Sequence, residues 1–157
     1  MFLNRQSSTE RVSAHHAPPA LLVLRVAIAF VFMTEGIQKF LYPDALGVGR
    51  FIKIGIPYPE ISGPFVGGVE IVAGALVLIG LYTRLAGFAL VIDMVVAITA
   101  TKVPILLGYG FWGFAATTGK TGFWAAAHEG RLDLMMLSSC LLLLAIGPGR
   151  ASFDQRS

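Results

Sequence analysis

Five ionisable residues lie inside otherwise apolar stretches of this chain: Arg25, Glu35, Lys39, Glu70 and Asp93. Carboxylates can take up and release protons, while a lysine or arginine can donate hydrogen bonds to a polarised oxygen. Each such residue costs about 2.5 to 3.5 kcal/mol at the centre of a membrane helix on insertion scales. They must therefore face inward and find partners, and they mark either the glue of a bundle or a proton or ligand site. At about 100° per residue, Arg25, Ala29, Phe32, Gly36 and Lys39 share one stripe, with Glu35 on its flank. Glu70 shares a stripe with Gly67 and Gly74, and Asp93 with Ala86, Ala89, Ala97 and Ala100. Small residues beside a charged one permit close helix contact. Counting about 1.5 Å per residue from the ends of the apolar stretches sorts the charges into two layers. Glu35, Lys39 and Glu70 fall in one leaflet, Arg25 and Asp93 in the other. Pairs Lys39–Glu70 and Arg25–Asp93 are expected, and Glu35 to Lys39 is also the favourable i,i+4 order.

Other constellations are weaker. His128–Glu129 begins like a zinc motif, but position 132 is Leu132, so the second histidine of HExxH is missing. His15 and His16 form a pair in a polar tail, where solvated histidines are the ordinary case. The single cysteine, Cys140, excludes an internal disulfide, a CxxC pair and a cysteine-based cluster built by this chain alone. No glycine motif follows a strand, so a dinucleotide fold is not expected.

The elements that position these residues are four apolar stretches: Ala20–Tyr42, Pro64–Tyr82, Leu85–Leu107 and Arg131–Gly147. About 20 residues of helix cross the hydrocarbon, so the last stretch is short but within range. An all-α, integral membrane four-helix antiparallel bundle follows. Residues 1–19 read as a polar N-terminal tail without an apolar signal-peptide core, 20–150 as the membrane domain and 151–157 as a short C-terminal tail. The breaker-rich segment Pro43–Gly63 is a loop around a short helix near Arg50–Lys53. Only Thr83 and Arg84 separate the second and third stretches, which predicts that these two form the tightest hairpin. Leu76, Leu78, Val91 and Ile92 are expected to face lipid. Between Gly108 and Gly130 lie Phe111, Trp112, Phe114, Phe123 and Trp124, an interfacial belt or a lid over a hydrophobic ligand.

Composition agrees with the membrane reading. Hydrophobic residues make up 55% of the 157 residues and charged residues 13%. Mean hydropathy is +0.74. A water-soluble fold would lack the polar material to cover its surface. The net charge of +3 is scattered and forms no basic stripe, which excludes a nucleic-acid binder. Arg5, Arg11, Arg84, Arg150 and Arg156 fall on the side of the termini; Arg50, Lys53, Lys102, Lys120 and Arg131 fall on the other. The first set is denser and includes the short hairpin, which favours cytoplasmic termini.

Three blocks carry a resemblance. They are LRVAIAFVFMTEGIQKF with Arg25, Gly36 and Lys39, GGVEIVAGALVLIGLYTRLAG with Glu70, Gly74, Gly80, Thr83 and Arg84, and GPGRASFD with Gly147, Gly149, Arg150, Ser152 and Asp154. Together they resemble the DoxX family of small four-helix bacterial membrane proteins. The resemblance implies an inner-membrane, multi-pass component of a quinone-linked oxidoreductase system, working with a soluble or membrane redox partner. Lys39 and Glu70 match the family pattern at their positions, whereas Lys102 and Pro104 do not.

Quinone is then the cofactor to expect. Glu35, Lys39 and Glu70 are the candidate catalytic residues, with Arg25, Lys39, Glu70 and Asp93 around the quinone. No metal site is expected. The competing functions are a non-catalytic scaffold that anchors a soluble redox enzyme, and a small-solute or proton transporter. Against the transporter, no inverted repeat or broken helix is visible. Beyond lipid and a redox partner, a second copy of the chain is a further possible partner.

Overall fold

The structure is a computed structural model that describes residues 7–147, 149 and 152–155, with side chains described for 20–147, 149 and 152–154. Arg5, Arg150 and Arg156 lie outside the described residues, as do the side chains of His15 and His16. Five α-helices follow one another: α1 (Ser7–Leu41), α2 (Val48–Ile54), α3 (Pro59–Ile79), α4 (Thr83–Leu107) and α5 (Phe123–Ile146). A single 3-10 turn, Phe153–Gln155, ends the described chain. Helix α1 reaches back to Ser7, into the segment that the sequence reads as a tail.

Local chemistry sets the helix ends. Pro59 sits in the first turn of α3, where its missing N–H costs nothing. Gly55, Gly80 and Gly108 close α2, α3 and α4 in the left-handed conformation. The stretch Ala20–Leu41 of α1, together with α3 and α4, is long and apolar enough to cross a membrane. With 24 residues α5 matches them in length, but its first half carries His128, Glu129, Arg131 and Asp133. It begins eight residues before the predicted Arg131, because the helix-forming Ala125–Ala127 run carries the helix back past His128 and Glu129.

The four long helices close a ring. Helix α1 packs along α3, α3 meets α4, α4 packs along α5, and α5 returns to α1. The most extensive contacts are α1 with α3 and α4 with α5, not the α3–α4 hairpin that the two-residue link suggested. A short link fixes direction, whereas small residues fix how closely two backbones can approach. A Cβ added to Gly36 would sit 2.6 Å from the Gly67 carbonyl oxygen, and one on Gly74 would sit 2.8 Å from Met33 Cγ. Gly87 faces Leu143 and Leu144 of α5 more loosely, where an added Cβ would meet them at 3.6–4.0 Å. Between α3 and α4 an apolar groove remains, lined by Phe65, Gly68, Val72, Leu76, Leu85 and Ala89.

Ile28, Phe32, Ala73, Val77, Leu90, Cys140 and Leu143 form the apolar core. Large apolar side chains cover the outside, among them Phe30, Phe65, Phe88 and Met135. Such a surface is stable against lipid and not against water. Leu78 and Ile92 face outward as expected, while Leu76 and Val91 pack against the core.

Candidate functional site

The predicted Lys39–Glu70 pair is present. The Lys39 ammonium donates to both Glu70 carboxylate oxygens, at 2.8 and 2.6 Å, and only 11% and 7% of the two side chains is exposed. Gly36 and Gly67 make this possible by bringing α1 and α3 into backbone contact one turn away. Lys39 bonds across the helices to Glu70 and not to Glu35 on its own helix.

Asp93 departs from expectation. It lies close enough to Lys39, Glu70 and Glu35 for their charges to act on it, and it lines the same cavity as Glu35 and Lys39. The expected Arg25–Asp93 pair does not form. Counting both residues from their shared link shows why: Glu70 lies about 13 Å before it and Asp93 about 15 Å after it, at matching depth. The expected two layers arose from measuring depth from opposite ends of stretches whose true starts differ; Pro64 lies inside α3, which begins at Pro59. Neighbouring carboxyls repel when both are charged, so this is a place in the bundle that favours holding a proton.

Arg25 works elsewhere. It is 1% exposed. Its guanidinium donates from Nε to the Val77 carbonyl at 2.8 Å and from Nη2 to the Leu78 carbonyl at 2.6 Å. Those carbonyls belong to the last turn of α3, which has no helical donors of its own. Across the link, Asp154 accepts from the Tyr82 N–H at 2.7 Å and the Thr83 N–H at 2.8 Å, capping α4 from the far end of the chain. Its own N–H bonds the Gly80 carbonyl. The Thr83 N–H above all, with the Tyr82 N–H and the Arg25 charge, holds the Asp154 carboxyl below the usual carboxylate range. The terminal glycine–serine–aspartate block is thus a clasp on the α3–α4 link, and Arg25 belongs to that clasp and not to the charge cluster.

Glu35, Lys39 and Asp93 open onto a cavity of about 420 Å³ bounded by α1, α2, α3, α4 and α5. Phe51, Val66, Met94 and Met136 supply apolar wall. Further toward α2 the lining turns polar, with Arg50, Lys102, Glu129 and Asp133. Lys102 and Asp133 form an ion pair at 3.2 Å that joins α4 to α5. No local pattern announces this second pair, whose residues lie 31 positions apart on different helices. The aromatic residues Phe111, Trp112, Phe114, Phe123 and Trp124 do not line the cavity. Trp112 and Trp124 are more than 80% exposed, at 86% and 83%, which fits the interfacial belt and not the lid. Among the described residues no cluster of side chains is arranged to hold a metal ion.

Residues 20–103 match the DoxX family model. The chain is 48% identical to an uncharacterised membrane protein of Mycobacterium tuberculosis over 95% of its own length and 88% of that protein. It is 26% identical to the inner membrane protein YphA of Escherichia coli, covering 88% and 91% of the two chains. An uncharacterised protein of Haemophilus influenzae is 28% identical over 90% of this chain and 92% of its own. No solved structure matches the chain.

Proposed function

The chain belongs to the DoxX family of membrane proteins, and on that footing we propose that its interior cavity is the quinone site of a membrane-bound oxidoreductase system. One observation carries this reading: the 420 Å³ cavity joins apolar walls to Glu35, Lys39 and Asp93 at its inner end. That volume falls within the roughly 300–1,000 Å³ typical of small-molecule sites. A quinone exchanges two electrons and two protons on interconversion with its quinol, and a redox-active partner protein supplies or takes the electrons. Lys39, held in place by Glu70, has a third ammonium proton with which to bond a carbonyl oxygen. Glu35 and Asp93 are placed to exchange protons with the bound oxygens. Apolar walls hold the ring and limit water around it. The membrane is then the bacterial inner membrane, with both termini in the cytoplasm.

The experiment is direct. Protein purified in mild detergent, extracted with organic solvent and analysed by mass spectrometry should yield quinone in stoichiometric amount. Asp93→Asn and Glu35→Gln should lower that yield while the folded protein is retained. Quinone-free protein that co-purifies with a soluble redox enzyme would overturn the reading in favour of a scaffold.

A further inference from the structure

The cavity lining runs from the acid cluster toward the end of the bundle that bears α2, and buried side chains fill the other end. From Asp93 to Lys102 along α4 is about 13 Å, and the lining follows that path through Ala97 and Thr101 to the polar residues near α2. In the opposite direction the acid cluster meets side chains without solvent contact. Phe32 is 1% exposed, and Val77, Leu90 and Leu143 are 0% exposed. Beyond them Arg25 and Asp154 clasp the α3–α4 link.

We propose that protons and ligand reach Glu35 and Asp93 only from the face bearing α2 and the 108–122 loop, and that the Lys102–Asp133 ion pair is the strap that regulates this access. The contrast between the two ion pairs supports the assignment. Lys39–Glu70 is short, doubly bonded and nearly sealed, as a fixed element should be. Lys102–Asp133 is longer, at 3.2 Å, and its side chains are 17% and 23% exposed. A pair reached by solvent and held at longer distance opens more readily than one sealed between two helices. The Lys102 stem packs beside Gly130, where an added Cβ would meet it at ordinary van der Waals distance, 3.6 Å. Lys102 and Asp133 are positioning residues: they touch the route and not the reacting atoms. The functional meaning rests on the cavity being the site proposed above, but the access itself does not require quinone.

Ala97, one turn from Asp93 on the lining, is the reporter. Ala97→Cys is labelled in sealed vesicles of each orientation with a charged, membrane-impermeant methanethiosulfonate reagent. Lys120→Cys and Arg84→Cys mark the two faces, and the wild-type chain controls for the buried Cys140. Labelling of Ala97→Cys is expected only from the face that labels Lys120→Cys. Adding Lys102→Met, or separately Asp133→Asn, should accelerate it up to about fivefold, the equivalent of about 1 kcal/mol, and leave the Lys120→Cys rate unchanged. Labelling from the Arg84 face, from both faces or from neither overturns one-sided access. An unchanged rate in both strap variants, each with an unaltered melting temperature, overturns the role of the strap. A chain that carries no quinone but labels as expected would remove the proposed ligand and leave the access route standing.

Discussion

Replacing Lys39 by methionine removes the ammonium, keeps the unbranched apolar stem one atom shorter and leaves Glu70 near Asp93 in an almost sealed site. Losing one partner of a buried ion pair costs about 3–5 kcal/mol. The 11% exposure of Lys39 and the adjoining cavity place this site at the lower end, about 3 kcal/mol. A chain of this length loses about 2–4 °C per kcal/mol, so the midpoint should fall by about 6–12 °C. Glu70→Leu leaves Lys39 with Asp93 as an alternative acceptor, and about 2 kcal/mol is expected. The double variant removes both charges together and should cost no more than about 2 kcal/mol, against a sum of about 5. That difference, about 3 kcal/mol of coupling, is what the cycle measures. Thermal unfolding in one detergent, followed by far-ultraviolet circular dichroism, supplies all four midpoints. Additive losses would refute the claim that Lys39 and Glu70 act as one desolvated unit.

Arg25→Ala strips two charge-assisted bonds from the end of α3 and should cost at least about 2 kcal/mol, and its effect should add to that of Asp93→Asn within about 0.5 kcal/mol because the two residues do not pair. Non-additivity beyond that margin would restore the pairing. Asp154→Asn should cost about 1 kcal/mol at neutral pH by weakening the α4 cap. The folded carboxyl titrates below its unfolded value, so the wild-type advantage is full above about pH 4 and fades as pH falls further; a gap between the two proteins that is constant with pH would contradict the cap. Gly36→Ala should lose about 1–3 kcal/mol, since its Cβ would press on the Gly67 carbonyl, whereas Gly68→Ala, with nothing within 4 Å, should be neutral or slightly stabilising in the same melting assay.

The bundle itself was legible in the sequence. Apolar stretches of spanning length can only be helices in lipid, where every backbone polar group must be satisfied within its own segment. The inward stripe of α1 was equally legible, because helical period alone puts Arg25, Ala29, Phe32 and Gly36 on one face, and all four are buried. Lys39–Glu70 followed from glycines that permit contact and from depths that agree. Partnerships that depend on register did not follow. Whether Asp93 meets Arg25 or Glu70 turns on a few ångströms of offset, and the offset depends on a helix start at Pro59 that the hydropathy of Pro64–Tyr82 conceals. Asp154 capping α4, and Lys102 meeting Asp133, join residues 71 and 31 positions apart, with no periodicity to announce them. Local pattern decides which face of a helix turns inward; only the packed tertiary structure decides what that face meets.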